Sequence, residues 1–404
     1  MADRQDGKGA AIVVGGGPAG LTAAIALAAT GMPTLLAGKR PAKPDNRTTA
    51  LLAGSVMALA TLGVWELCEA HAAPLRVMRL VDDTGRLWRA PEVKFIAEEI
   101  DLDAFGSNIE NKHLIAAFEQ RARVLPSLRM IDDEVAAVEP DADSVTVTLK
   151  GGEVLRAALI IGADGRRSLC RRAAAIGIDE RAYKQLALTV CVGHSRPHHG
   201  ISTEFHTASG PFTLVPLPGL RSSLVWVLDP IDAERIVAFD DDELSLEIER
   251  HSHSILGKIA VEAGRGMFPL WFATAWRFAA KRIALIGEAA HVIPPIGAQG
   301  LNLGLRDAAA IGEVVIAAYR NGGDIGADAV LSAYDRMRRS DVAGRTLAVD
   351  FANRTLLTDF LPVQGVRGLG LYLIDSIGPL RRAVMHEGVA SATAQPRLMR
   401  GEAP

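Results

Sequence analysis

The sequence predicts an α/β fold in which a parallel sheet is interleaved with an antiparallel one and followed by a helical C-terminal segment. Three observations predict it. The run Ala10-Ala11-Ile12-Val13-Val14 breaks at a glycine cluster and resumes as an alanine-rich stretch from Leu21 to Ala29. Gly31 and Pro33 close that stretch before Thr34-Leu35-Leu36, so the opening reads strand, helix, strand. Two more apolar strands end in glycine, Leu159-Ile160-Ile161-Gly162 and Arg282-Ile283-Ala284-Leu285-Ile286-Gly287, and short continuous apolar strands belong to parallel sheets covered on both faces. Between them, patches such as Phe212-Thr213-Leu214-Val215 and Ser223-Leu224-Val225-Trp226-Val227 are punctuated by Pro211, Pro216, Pro218 and Gly219, the texture of antiparallel strands.

A chain of 404 residues is long enough for two or three domains. Hydrophobic residues at 49% and charged residues at 23% exclude a disordered or collagen-like chain. A net charge of −3 provides no basic field for nucleic acid. Cys68, Cys170 and Cys191 are an odd set without a CxxC pair, which argues against a disulfide framework and a zinc site and suits a reducing cytoplasm. No run reaches the ~18 apolar residues of a membrane-spanning helix. The start, Met1-Ala2-Asp3-Arg4-Gln5-Asp6-Gly7, is polar, and its first apolar run leads into the glycine cluster rather than to a cleavage site. A cytoplasmic protein is expected, with a mean hydropathy of +0.17 that leaves room for peripheral contact with the inner face of a membrane.

The glycine cluster contains Gly15-x-Gly17-x-x-Gly20 between strand and helix, the context in which this pattern binds a dinucleotide. Gly15 permits the tight turn, Gly17 lets a pyrophosphate approach the backbone, and Gly20 lets helix and strand pack closely. The helix N-terminus then offers oriented N–H groups to the phosphates. An acidic residue is expected about 20 positions on to hold a ribose. Here the stretch is Leu36-Ala37-Gly38-Lys39-Arg40, so the adenosine end must be held by backbone groups or by the basic pair.

The segment from Gly287-Glu288-Ala289-Ala290-His291 through Pro294-Pro295 to Gly297-Ala298-Gln299-Gly300-Leu301-Asn302 and Asp307 resembles the second flavin motif of FAD-dependent aromatic monooxygenases of the para-hydroxybenzoate hydroxylase type. Asp164-Gly165 is similar to that family's middle motif, which touches FAD and takes part in handling the nicotinamide cofactor. The closer likeness is to the ubiquinone-biosynthesis polyprenyl-phenol hydroxylases, through Asn46-Arg47-Thr48-Thr49-Ala50-Leu51, Ile109-Glu110-Asn111, the Gly297–Asp307 stretch and the tail around Gly368-Leu369-Gly370-Leu371. The resemblance spans essentially the whole chain. It implies a Rossmann-like FAD-binding domain of residues 1–74, 110–175 and 277–330, an antiparallel substrate domain of residues 75–109 and 176–276, and a C-terminal helical region of residues 331–404.

The activity it implies is hydroxylation of a polyprenylated phenol with NAD(P)H and O2, through a flavin C4a-hydroperoxide in a pocket that excludes water. Glu288 stands where an Asp is commoner and keeps the acceptor chemistry needed for ribityl hydroxyls. Pro294, Pro295 and Gly297 would set the backbone beside the ring, Gly297 and Gly300 would let the chain pass close to it, and Gly287 is expected among the cofactor-binding residues. Leu301 and Asn302 open a helix whose N–H groups favour the negative charge of reduced flavin. Arg47 is either a forked donor to the cofactor or a surface arginine. Asp164 either touches FAD or closes a turn with Gly165. Asn111 either sits near the flavin or caps the helix that begins at Lys112. Asp307 is expected near FAD.

Other residues carry no chemistry on this reading. His194, His198, His199 and His206 match no ligand pattern and are expected to be exposed or structural, as is His291 at its turn. Trp226, Trp271 and Trp276 are expected in the core or pocket wall, Asp240-Asp241-Asp242-Glu243 in a solvated turn or helix start, and Arg336, Arg338 and Arg339 on a charged helix face. No hydrolase elbow or halogenase motif occurs. Phe360-Leu361-Pro362, Leu369, Leu371-Tyr372-Leu373-Ile374 and Leu380, followed by Arg381-Arg382, suit either an interfacial membrane segment or a helix packed on the body or on a sister subunit. Partners expected from this are the lipophilic phenol, O2, a membrane surface or biosynthetic complex, and a second copy of the chain. Rival readings are another aromatic hydroxylase, an FAD-dependent prenyl-chain reductase, and a non-catalytic quinone- or lipid-binding member of such a complex.

Overall fold

The computed structural model describes residues 9–39, 46–85, 90–295, 299–357, 370, 372–374, 376–389 and 395–404. Strand β1 (Ala11–Val14) is buried along its length and leads into α1 (Pro18–Ala28) and β2 (Thr34–Ala37). Pro18 is tolerated at the first turn of α1 because an N–H there has no helical partner. An excursion follows through β3 (Thr48–Leu52), α2 (Ala53–Thr61), β4 (Ala72–Pro74), β5 (Val77–Asp82), β6 (Val93–Ile96) and β7 (Gly106–Glu110). The chain returns through α3 (Asn111–Arg123), β8 (Leu128–Ile131), a meander of β9 (Val135–Pro140), β10 (Val145–Leu149) and β11 (Val154–Ala157), then β12 (Leu159–Gly162) and α4 (Leu169–Ala173).

The long β13 (Ile178–His194) opens the antiparallel region. It continues as β14 (Ile201–His206), β15 (Pro211–Leu217), β16 (Arg221–Leu228), α5 (Pro230–Val237), α6 (Asp241–His251), β17 (Ile259–Val261) and β18 (Gly266–Ala275). Short strands β19 (Ala279–Ala280), β20 (Ile283–Leu285) and β21 (His291–Val292) precede the helices α7 (Gln299–Arg320), α8 (Asp328–Leu357) and α9 (Gly378–Val389).

The three glycine-ended strands lie side by side, as the sequence predicts. The first sheet has the order β19-β20-β12-β1-β2-β8, and β1 runs parallel to β12 and β2 while β12 runs parallel to β20. Helix α1 is buried from Gly20 to Ala28 and packs between this sheet and α7. Small alanines suit a helix enclosed on all sides, because they let both neighbours approach.

The second sheet has the order β21-β18-β13-β16-β15-β14-β5-β6, with β17 paired to β13. One face carries Phe205, Phe212, Leu224 and Trp226, which pack against Ala233 and Ile236 of α5 and Leu244 and Ile248 of α6. Parallel pairing of β5 with β14 joins the two sequence insertions in this one sheet. A small sheet of β3, β7 and β4 lies between the halves. The acidic run is a helix start: Asp240 and Glu243 form a reciprocal capping box on α6.

Two expectations are corrected. Arg338 is 1% exposed rather than on a charged face, because Leu331, Tyr334, Arg338, Asp341 and Val342 form one buried stripe along α8. Trp226 is core at 2% exposure, but Trp276 is 63% exposed and donates its indole N–H to Asp179. Helix α9 docks through Met385 against Ala97, Ile100 and Phe105, and Arg381 donates to Glu99 at 3.0 Å. Phe360, Leu361, Pro362, Leu369 and Leu371 lie outside the described residues. No helix among the described residues is long and apolar enough to cross a membrane.

Candidate functional site

The turn after β1 has the geometry that the glycine pattern demands. Gly15 has φ +118°, and a Cβ there would run into the Ala163 carbonyl. A Cβ on Gly20 would strike the Gly15 carbonyl oxygen, so the helix sits as close to the strand as two backbones allow. Gly17 differs: a Cβ there would meet no protein atom within 4 Å. It faces open space at the N-terminus of α1, where no side chain caps the helix and the first turn holds no acid. These N–H groups suit a phosphate. Gly38, after β2, abuts Gly16, and Lys39 beside it is exposed.

Two further loops meet this turn. Gly287 follows β20 with φ +57°, a left-handed conformation that disfavours a side chain. Ideal Cβ positions on Gly287 and on Gly304 of α7 both lie 3.3 Å from the Ala19 Cβ, which brings the start of α1, the loop after β20 and the first turns of α7 to one point. Gly300 faces open space, Leu301 is half-buried, and the first turn of α7 also lacks an acid. Glu288 is exposed, Pro294 is buried and Pro295 is exposed. Gly297 lies outside the described residues.

Asp307, expected near the cofactor, has a fully buried carboxylate that bonds the cofactor-side loop itself. One oxygen accepts from the Gly287 N–H at 2.9 Å and from His291 Nε2 at 2.6 Å, and the other accepts from Arg338 Nε at 2.6 Å. Burial alone would push this carboxyl up, yet His291, Arg338 and the Gly287 N–H hold it below the ordinary carboxylate range. Arg338 also donates to Asp341 at 2.6 Å, and Tyr334 donates to the Leu285 carbonyl at 2.7 Å. Thus α8 braces the strand end and loop from behind, and His291 has the structural role expected of it.

The remaining predicted residues tie these loops to their neighbours. Asn302 accepts from the Leu52 N–H at 2.9 Å and Ser55 Oγ at 2.7 Å, and donates to the Ala50 carbonyl at 2.8 Å. Its side chain is therefore spent on β3 and α2, and only its backbone is left to a ligand. Asn111 does not cap the following helix, for it is the first helical residue and Glu110 precedes it as the cap. Its side chain accepts from Thr49 Oγ1 at 2.6 Å, and its N–H donates to the Arg47 carbonyl at 2.8 Å. The Arg47 guanidinium lies 5.4 Å from the Phe268 ring centre on β18.

Asp164 closes the turn through Gly165, which has φ +74°, and accepts from Leu169 N–H, Cys170 N–H and Ser168 Oγ at the start of α4, whose N-cap is Ser168. Beside it, Arg166 stacks 4.3 Å above Trp271, so that tryptophan is a platform as well as a wall. All three motifs thus converge, and their open glycines and acid-free helix ends fit a dinucleotide cofactor. A separate cavity of about 680 Å³, lined by Trp226, His251 and Arg235, opens on the helix-covered face of the second sheet and takes no part in this site. Sequence reading missed Arg338 and Tyr334, although their spacing with Leu331 and Asp341 carries the signal of one buried helix face.

A model of the FAD binding domain family matches residues 8–349. The chain is 34% identical over 400 residues to ubiquinone hydroxylase UbiL of Rhodospirillum rubrum, covering 96% of this chain and 92% of that protein. It is 31% identical to the 3-demethoxyubiquinol 3-hydroxylase of Escherichia coli, covering 92% and 96%. In structure it is similar to p-nitrophenol 4-monooxygenase PnpA of Pseudomonas putida, with a TM-score of 0.78 at 20% identity over 95% of this chain and 98% of that one. It is also similar to Klebsiella pneumoniae HpxO complexed with FAD and uric acid, with a TM-score of 0.75 at 22% identity over 95% and 97%. At these identities the structural likenesses establish the fold.

Gly17→Ala is expected to leave apoprotein stability within about 0.5 kcal/mol, since the new methyl meets no protein atom. It should weaken FAD binding at least tenfold, about 1.4 kcal/mol, by filling the phosphate space. Fluorescence titration with FAD checks this, and unchanged affinity refutes it. Asp307→Asn should cost about 3 kcal/mol because it removes one of the two carboxylates that pair the buried Arg338, leaving Asp341 to balance it alone. The native Asp307 carboxyl is depressed, so its stabilisation is complete above the unfolded pKa near ~4 and is lost as pH falls through the lower folded value. Denaturant titrations below about pH 4 should therefore show a steeper loss in the native protein than in the Asn variant.

Proposed function

The chain belongs to the FAD-binding-domain family, and on that premise we propose that it is an FAD-dependent monooxygenase hydroxylating the ring of a polyprenylated phenol in ubiquinone biosynthesis. NAD(P)H and O2 are its co-substrates. The observation that carries this reading is the meeting of two acid-free helix N-termini, those of α1 and α7, around Ala19, Gly287 and Gly304. One such end suits a pyrophosphate and the other suits the negative charge that reduction places on a flavin. The resemblance to ubiquinone hydroxylases over nearly the full chain supports the substrate class.

In this reading Gly15, Gly17, Gly20 and the α1 N–H groups hold the pyrophosphate, while Asp164 and Gly165 shape the turn beside them. Arg47, just before β3, and Asn111, at the start of α3, border the ring. Glu288 accepts from the ribityl hydroxyls, and Gly287 lets that loop turn. Gly300, Leu301 and Asn302 present backbone N–H groups to the ring, and Pro294, Pro295 and Gly297 direct the chain past it. When bound, FAD would relay two electrons from NAD(P)H to O2, so that one oxygen atom of O2 goes to the ring and the other leaves as water. The protein places the phenol and excludes water. Residues 1–74, 110–175 and 277–330 would hold the cofactor, and residues 75–109 and 176–276 the substrate.

A substrate this lipophilic calls for a surface against the bilayer, and α9 supplies one. Ile377, Leu380 and Val384 form an outward stripe at 44%, 39% and 39% exposure, with the exposed Arg382 beside them. The full chain is expected to co-sediment with anionic phospholipid vesicles, and Leu380→Glu with Val384→Glu should abolish that. If sedimentation velocity instead shows a dimer that the double variant dissociates, the stripe covers a sister subunit.

The activity is tested with FAD-reconstituted protein, NAD(P)H, ¹⁸O₂ and a phenol bearing one prenyl unit. One ¹⁸O atom per product ring is expected. Hydrogen peroxide alone, or a saturated prenyl chain, would overturn the reading.

A further inference from the structure

The two faces of the second sheet are unlike each other. Phe205 and Phe212 point under α5 and α6, so alternation puts Glu204, His206 and Thr213 on the opposite face. That opposite face is turned toward the cofactor-binding half. Asn108 of β7 donates to Ser223 Oγ at 3.1 Å and to the Pro216 carbonyl at 3.0 Å, and Arg47 covers Phe268. Glu204, Thr213, Val225 and Thr189 stand in register across four strands, and each is only partly covered. The rows on either side hold the buried Val227 and Ala187 and the buried Ser223 and Cys191. This partly covered row, which continues into the half-exposed Val215 beside Ser223, is read as the floor of a hollow facing the cofactor-binding half.

One wall of that hollow is a polar cluster. Glu204 accepts from His206 Nε2 at 2.8 Å and from Thr213 Oγ1 at 3.3 Å. A carboxylate can only accept, so this bond places the imidazole proton on Nε2 and leaves the lone pair on Nδ1. His206 has no further hydrogen bond among the described residues, and its side chain keeps 11% exposure. Burial pushes the Glu204 carboxyl up, but the hydrogen bonds from His206 and the Thr213 hydroxyl favour its ionised form, and the group lies below the ordinary carboxylate range. The other groups about His206 are Asp82, in register on β5 and bonded to Thr84, and Asp83, whose N–H donates to the His206 carbonyl and whose carboxylate bonds His253. Pro211 faces it from β15.

We propose that Glu204 and His206 form the base that ionises the phenol substrate, an inference that rests on the hydroxylase reading above. The phenol O–H bond breaks, its proton joins His206 Nδ1, and the electron pair stays on the phenolate oxygen. Glu204 stabilises the imidazolium that forms, and Thr213 orients Glu204. A phenolate donates electron density to its ortho and para carbons, which readies them for an electrophilic oxygen. The proton returns to the product oxygen on release, so no net charge accumulates. A carboxylate that fixes the tautomer of a histidine base is a recurrent device, and its effect is commonly 10²–10⁴-fold.

The test uses FAD-reconstituted protein, a phenol bearing one prenyl unit and its ring-fluorinated, more acidic analogue. Without NAD(P)H, the native protein should bind the prenylphenol with phenolate absorption at pH 7.5, well below the phenol's own pKa near ~10. His206→Asn and Glu204→Gln should lose that absorption while keeping flavin content. Their kcat at pH 7.5 should fall about 100-fold or more with the prenylphenol, and recover with the fluorinated phenol or at high pH. Phenol that stays neutral on the native protein overturns the proposal, whether or not the variants fold. Equal losses on both phenols, with no change in pH profile, also overturn it by leaving these residues a structural role. A native protein that oxygenates neither phenol refutes the hydroxylase reading itself.

Discussion

A carboxylate with no access to water can persist only if its charge is answered by donors, and Asp307 takes three hydrogen bonds from three directions. The Gly287 N–H, His291 and Arg338 belong to the loop after β20, the turn before the proline pair and the long helix α8. Their convergence fixes the left-handed Gly287 turn against Ala19, and hence the position of α7 relative to α1. The open space at Gly17 and the acid-free start of α7 inherit their alignment from that buried charge. Arg338 cannot be traded for an apolar side chain without stranding Asp307, so the brace and the site stand or fall together.

The second sheet is held to the first by contacts of a different kind. Arg47 over Phe268 and Arg166 over Trp271 bridge the two halves at 5.4 Å and 4.3 Å through ring faces, and Arg221 pairs with Glu110 at 3.3 Å. Asn108 reaches the same sheet through Ser223 and Pro216, while Asn302 pins the small sheet to α7. The small sheet of β3, β7 and β4 is thus a shared wall. It leaves the central row of the larger sheet half-exposed, and the polar cluster of Glu204, His206 and Thr213 borders that opening.

Much of the fold and the cofactor cradle is legible in the sequence because its signals are local. Gly15, Gly17 and Gly20 sit within six positions, and strand, turn and helix are encoded around them. Arg338 was hidden in a run of arginines that resembles a solvated face, and its burial rests on two carboxylates, Asp341 one turn on and Asp307 31 positions earlier. Trp276 looked apolar enough to be core, yet its indole N–H has a partner at the surface in Asp179. Asn111 suited a cap by residue type, but the helix begins at it rather than after it.

The sequence by itself determined the parallel sheet, the glycine turns and the family of chemistry, since each is written in a few adjacent residues with one sterically acceptable conformation. Tertiary structure alone decided that β5 pairs with β14 to merge two insertions in one sheet, and that Asp307 serves as a brace behind the loop. It also decided that His206, unremarkable among neighbouring histidines, shares a carboxylate with Thr213 across a hairpin. The physical reason is that burial and pairing depend on which faces meet, and the meeting of faces is settled by contacts between residues far apart in the chain.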